Sequence, residues 1–153
     1  MNTPQANASH LLVRRLRPQA ILPQRATDGS AGFDLSACIC EPLCLQPGER
    51  VLIPTGIAAA IPQGAAGMIY ARSSLGVKHG IALSNGVGVI DSDYRGEIHV
   101  GLCNFSQEPY TIQPGERIAQ LVLHPVLLPQ VQETELLDDT QRGSGGFGST
   151  GRQ

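Results

Sequence analysis

Two carboxylates close an apolar run in the stretch N-G-V-G-V-I-D-S-D-Y-R-G-E-I, residues 85–98. At the end of a strand, Asp91 and Asp93 could bind a hard metal ion, activate a water molecule or cap a turn; beside glycine, the turn is the commoner fate of an aspartate. Arg72, Ser73 and Ser74 follow the apolar run 67–71 and offer a cation and two hydroxyls at the mouth of a short helix over 73–77. That arrangement suits phosphate, although serine is also an ordinary helix cap. The C-terminal stretch R-G-S-G-G-F-G-S-T-G-R-Q, residues 142–153, contains no acid. Its G-x-x-x-x-G string is not a Walker loop, because Ser149 stands where lysine is needed. Glycine amides with Arg142, Ser144, Ser149 and Thr150 could wrap a polyphosphate, and Phe147 could stack on a base; a plain linker is the alternative on composition.

Short strands have to position these groups. The chain has 153 residues, one domain's worth, with 18 Gly and 11 Pro scattered at short intervals. Apolar runs at 11–16, 50–53, 56–61, 66–71, 87–90 and 118–123 lie between these breaks, which is the rhythm of an all-β sandwich or barrel. Ile98, Val100 and Leu102 alternate with His99, Gly101 and Cys103, assigning the first three to a buried face. Q-P-G-E-R occurs at 46–50 and again at 113–117, and Pro-Gly suits the centre of a type II turn. Asn85-Gly86, with apolar flanks, predicts a tight hairpin of positive φ.

Composition excludes some classes of partner. Charged residues are 16% of the chain, below the usual quarter or so, as when surface is hidden against further copies. A formal net charge of -2 gives no general pull toward nucleic acid or membrane, so any anion must be held by a local site. Cys38, Cys40, Cys44 and Cys103 lack zinc-ligand spacing; Cys38 and Cys40 read as small core residues on one face of a strand. Residues 1–10 are polar and carry no signal-peptide core, no run approaches the ~20 apolar residues of a membrane span, and the expectation is a cytoplasmic protein.

Together these segments form an ordered set. A-G-F-D-L-S-A (31–37), G-M-I-Y-A-R-S-S-L-G (67–76), N-G-V-G-V-I-D-S-D-Y-R-G-E-I (85–98), G-E-R-I-A-Q-L (115–121) and R-G-S-G-G-F-G-S-T-G (142–151) resemble, in order, the motifs of the trimeric dUTPase family. The resemblance implies a jelly-roll-like β-barrel of the β-clip type over 11–140; residues 1–10 fall outside it and are expected to be disordered, and the glycine content of 141–153 predicts a flexible arm. It further implies a homotrimer with active sites at subunit interfaces. The implied reaction converts dUTP to dUMP and pyrophosphate with Mg²⁺, which keeps uracil out of DNA and supplies dUMP for thymidylate synthesis.

By the same resemblance Asp91 is the general base, and Asp34 reaches Mg²⁺ through water while the phosphates hold the ion. Arg72, Ser73, Ser74 and Gln120 hold phosphates. Asn85, Val89, Ile90 and His99 read uracil, the last three through backbone or packing, and Tyr94 faces the sugar. Arg142, Phe147, Gly148 and Ser149 belong to the arm that closes over a site. Arg117, Asp93 and Arg95 are expected to form supporting ion pairs. Two rivals stand beside this reading: a related dCTP deaminase, or bifunctional deaminase–dUTPase, for which Glu97 is the nearest candidate base, and a jelly-roll module without chemistry.

Overall fold

The computed structural model describes residues 10–146. Among the described residues the chain forms β1 (Leu12–Arg15), β2 (Phe33–Ser36), β3 (Leu43–Leu45), β4 (Arg50–Pro54), β5 (Ile57–Ala60), β6 (Ala65–Ala71), α1 (Ser73–His79), β7 (Ile81–Leu83), β8 (Gly88–Ile90), β9 (His99–Asn104), β10 (Tyr110–Ile112) and β11 (Arg117–Pro125). Each apolar run expected to be extended becomes a strand, with ends displaced by no more than two residues. The expectations for residues 1–9 and 147–153, including Phe147, Gly148 and Ser149, lie outside the described residues.

Pairing is antiparallel throughout and nested from the outside in. β2 pairs with β11 (Leu35↔Ala119), β3 with β10 (Cys44↔Thr111) and β4 with β9 (Leu52↔Gly101). The chain between β2 and β11 is therefore one long antiparallel ribbon folded over on itself, which is the wrapping of a jelly roll. β6 lies between β11 and β8, β7 joins the far edge of β9, and β1 pairs with β5. No helix among the described residues is long and apolar enough to cross a membrane.

The core is aliphatic. Leu35, Ile53, Ile57, Ile98, Leu102, Ile112, Ile118 and Leu121 are all at most 1% exposed. Each such side chain contributes about 1.5–3 kcal/mol relative to leaving it in water. The polar Asn104 is fully buried within this apolar set, and its bonds are all made. Its Nδ2 donates to the carbonyls of Leu45 (2.9 Å) and Glu108 (2.8 Å), and its Oδ1 accepts from the Ser106 amide and hydroxyl.

Local signals behave as their chemistry requires at both Q-P-G-E turns. Gly48 and Gly115 have φ of 79° and 75°, the left-handed region that a type II turn demands. In each turn the glutamate side chain also accepts the amide of the leading glutamine, at 2.7 Å for Glu49 and 2.8 Å for Glu116. One capping device thus recurs in the two strings.

Two expectations are corrected. Gly86 does turn with φ 74°, but the flanks of Asn85-Gly86 do not pair with each other. β7 is taken by β9 and β8 by β6, so the segment passes from one sheet to another and forms no hairpin. Beside β9 the strand β7 buries Ile81 and Leu83, whereas β8 stays partly exposed on β6. Secondly, β2 ends at Ser36, so Cys38 and Cys40 share no strand face. Cys38 and Cys103 are buried, whereas Cys40 and Cys44 are exposed and all four are free thiols. The alternation of Ile98, Val100 and Leu102 holds, and Cys103 on the opposite face is buried as well.

Candidate active site

The central sheet brings the first group of candidates together by register. Gln120 of β11 stands opposite Asp34 of β2 on one side and Tyr70 of β6 on the other. Arg72, Ser73 and Ser74 follow directly after β6. Asp34, Gln120, Arg72, Ser73 and Ser74 line a cleft of about 420 Å³ with Ser30 and Gly32. Gly32 packs closely there: a Cβ would lie 2.5 Å from Oε1 of Gln120 and displace the end of that side chain. Gln120 is oriented in turn by donating from Nε2 to the Ala71 carbonyl at 3.1 Å.

Helix capping does not consume the serine hydroxyls. The residue before α1 is Arg72, in extended conformation, and no side chain caps the helix. α1 ends at Gly80, whose φ of 68° gives the left-handed stop typical of helix C-termini. Ser73 and Ser74 are exposed toward the cleft.

Asp34 is engaged by two guanidinium groups. Arg72 Nε lies 3.0 Å from Oδ1, and Arg117 Nη1 lies 2.9 Å from Oδ2. Arg72 Nη1 also donates to the Arg117 carbonyl at 3.2 Å. Two cations against one carboxylate make a local positive excess around Asp34, which borders both this cleft and a neighbouring one lined by Arg117. Arg117 thus pairs as expected. Arg95 instead donates to the carbonyls of Ser92 and Tyr94, and Asp93 makes no ion pair among the described residues.

Val89, Ile90, Asp91, Tyr94 and His99 line a second cleft of about 220 Å³ with Glu97. Asp91 follows β8 directly and is exposed; no side chain among the described residues occupies its carboxylate. Tyr94 donates its hydroxyl to the Glu97 carbonyl at 3.0 Å. Glu97 has both carboxylate oxygens committed: Oε1 accepts the Gly56 amide at 2.8 Å and Oε2 meets Arg17 at 3.1 Å. A general base needs a free oxygen aimed at its substrate, so Glu97 does not fit the deaminase role. Beneath this pair, burial pushes the Cys38 thiol above its ordinary range, against the pull of the nearby Arg17.

The two clefts lie at opposite ends of β6. Ile90 stands opposite Gly67, which places Asp91 level with Ala66, while Arg72 lies beyond the other end of the strand. At ~3.3 Å per residue the two groups are about 20 Å apart. Asn85 lines neither cleft. Arg142 is exposed and donates to Gly145 within its own turn, at 2.8 Å.

Sequence reasoning assigned no role to Arg17. It lies 80 positions from Glu97, and no local pattern announces such a pair. Gly32 was legible only as part of a motif, although a glycine beside a strand is a signal for close packing.

Known proteins match this chain in sequence and in fold. The dUTPase family model matches residues 18–151. A deoxyuridine 5'-triphosphate nucleotidohydrolase of Alcanivorax borkumensis is 53% identical over 144 residues, covering 94% of this chain and 96% of that protein. One from Hahella chejuensis is 53% identical over 148 residues, covering 96% and 97%. The solved dUTPase of Staphylococcus bacteriophage 80alpha with dUpNHpp superposes with a TM-score of 0.85 at 28% identity, covering 94% of this chain and 99% of that one. A mutant dUTPase from phage phi11 of S. aureus, solved for the coordination of a structural Mg(II) ion, gives 0.77 at 26% identity, covering 85% and 99%. With the five ordered motifs, the nested ribbon and a family match over nearly the whole chain, this protein belongs to the dUTPase family.

Proposed function

We propose that the chain hydrolyses dUTP to dUMP and pyrophosphate as a magnesium-dependent homotrimer of the cytoplasm, each active site being completed at a subunit interface. The observation that carries the interface is the separation of the two clefts. Phosphate-holding groups and the water-activating carboxylate must converge on one α-phosphorus, because such catalysis depends on positioning within a few ångströms. One chain holds them about 20 Å apart by strand geometry, so a second copy has to bring its Asp91 to the Arg72 cleft. A further support is the segment after β11, where Leu127, Leu128, Val131, Leu136 and Leu137 are each at least 75% exposed. Apolar side chains concentrated like this mark a surface that another chain covers.

Asp91 takes a proton from the attacking water as its oxygen bonds to the α-phosphorus, and pyrophosphate leaves with the electrons of the broken P–O bond. Arg72, Ser73, Ser74 and Gln120 hold the phosphates. Asn85, Val89, Ile90 and His99 present the uracil edge, and Tyr94 covers the deoxyribose where a 2′-hydroxyl would otherwise fit. Arg142, Phe147, Gly148 and Ser149 close over the bound nucleotide.

The donor set suits magnesium. Among the described residues no three His, Cys, Asp or Glu side chains gather into a cage, and Asp34 is already bound to two arginines. A hard ion carried in by phosphate oxygens, touching Asp34 through water, fits that chemistry. When bound, it supplies charge neutralisation on the triphosphate. The four free thiols agree with a reducing compartment.

The direct test is pyrophosphate release from dUTP, dTTP, dCTP and UTP with and without Mg²⁺. Release confined to dUTP, dependent on the ion and without ammonia from dCTP, is expected; single phosphate as product, or equal turnover of dTTP, overturns the assignment. Sedimentation should give about three times the 16.2 kDa of the chain, and a fully active monomer would remove the interface. Tyr94→Ala should lower the dUTP/UTP ratio of kcat/KM more than it weakens dUTP binding, since the ring excludes by bulk.

A further inference from the structure

We propose that Glu97, held by Arg17 and the Gly56 amide, is a positioning residue that sets the placement of Tyr94 and His99 and thereby the discrimination between deoxyribose and ribose. The inference rests on Tyr94 facing the sugar.

Both rings of the second cleft hang on one backbone oxygen. The Tyr94 hydroxyl donates to the Glu97 carbonyl at 3.0 Å. His99 Nδ1 lies 3.1 Å from the same oxygen and must be the donor, because a carbonyl only accepts. That carbonyl sits just outside the ladder, since β9 begins at His99.

What fixes the carbonyl is the side chain of the same residue. Oε1 accepts the Gly56 amide at 2.8 Å and Oε2 meets Arg17 Nη2 at 3.1 Å, tying the site loop to a segment 80 positions away. The next residue is fixed from the same side: the Ile98 amide donates to Ile57 at 2.9 Å, and its carbonyl accepts the Thr55 hydroxyl at 2.6 Å. Gly56 has little freedom to move. Its φ is 70°, and a Cβ would lie 2.6 Å from Cys38 Sγ and 2.7 Å from Ala20 Cβ.

Gly96 completes the seat. A Cβ there would overlap the Tyr94 hydroxyl and ring carbons, so the ring lies folded back over the glycine. The ion pair is itself a weak source of stability, because Arg17 is 40% exposed and solvent screens it. Its consequence therefore falls on ring placement, and hence on the space left beside the sugar.

The test measures kcat/KM for dUTP and UTP, together with Tm, for the wild type, Glu97→Ala, Tyr94→Phe and the double variant. Glu97→Ala should lower the dUTP/UTP ratio about tenfold, Tyr94→Phe should lower it too, and the double variant should fall no further than the larger single effect. Glu97→Gln, which keeps an acceptor for the Gly56 amide, should recover part of the ratio. A lower Tm with an unchanged ratio in Glu97→Ala would mean a purely structural residue and overturns the proposal, as would additive effects in the double variant. If Glu97→Ala does not fold, Arg17→Met, which removes the cation from Oε2, carries the same comparison with the same outcomes. An unchanged ratio in Tyr94→Ala removes the sugar contact itself, and the positioning role with it; a shift in Tyr94→Ala without one in the clamp variants removes only the clamp.

Discussion

Asp91→Asn is expected to lower dUTP turnover at least about a hundredfold while leaving nucleotide binding intact, because only the proton acceptor is lost and a positioned general base contributes roughly 10²- to 10⁴-fold. The position supports a selective effect. Asp91 is exposed at the end of β8 and bonds no side chain among the described residues, so its replacement breaks no ion pair and opens no cavity. Thermal stability should therefore stay within about 0.5 kcal/mol of the wild type. Single-turnover pyrophosphate release, measured beside calorimetric binding of a non-hydrolysable dUTP analogue, separates the two quantities. Near-normal turnover in the variant would shift the base to Asp34 or Asp93. Asp34 is the weaker candidate, since both of its oxygens face arginine.

Deleting the chain from Arg142 onward is expected to leave a folded trimer that binds dUTP weakly and barely turns it over. The described part of this segment makes no core: residues 142–144 and 146 are exposed, and the Arg142 guanidinium bonds only within its own turn. A glycine-rich segment loses much conformational freedom when ordered, and that cost is recovered only where a full triphosphate and base are present to hold it. The truncated enzyme should thus lose its preference for dUTP over dUMP, with an almost unchanged Tm. Mixing Asp91→Asn chains with truncated chains and re-forming trimers tests which copy the arm serves. Recovered activity is expected if an intact Asp91 and an intact arm can meet in one site from different chains. Inactive mixed trimers, with both parents properly folded, would place the arm on the site of its own chain and overturn the shared site.

Some of the fold was legible because its signals are covalently local. Pro47-Gly48 and Pro114-Gly115 specify their turns through a fixed φ and a freely positive one, whatever surrounds them. Val100 and Leu102 face the core because alternation follows from the pleat. The helix after β6 was legible as well, and only its end, at His79, extended past the expected Val77. Local signals misled where partners compete. Asn85-Gly86 carries the strongest hairpin chemistry in the chain, yet β7 and β8 separate into different sheets, β7 pairing with β9 and β8 with β6. Cys40 carried the hydropathy of a core residue and lies exposed, because the strand that would have turned it inward stops at Ser36.

The inventory of the site was readable from the chain alone: an acid after an apolar strand, an arginine with two serines after another, a tyrosine two positions before a glycine, and their order. Residue type and spacing suffice for these, since each depends only on near neighbours. Tertiary structure decided how the inventory is divided. It set Asp34 between Arg72 and Arg117, tied Glu97 to Arg17, and placed Asp91 and Arg72 at opposite ends of β6. Those outcomes follow from nested pairing of strands far apart in the chain, where each strand takes the partner that buries most apolar surface, and no local pattern encodes that choice.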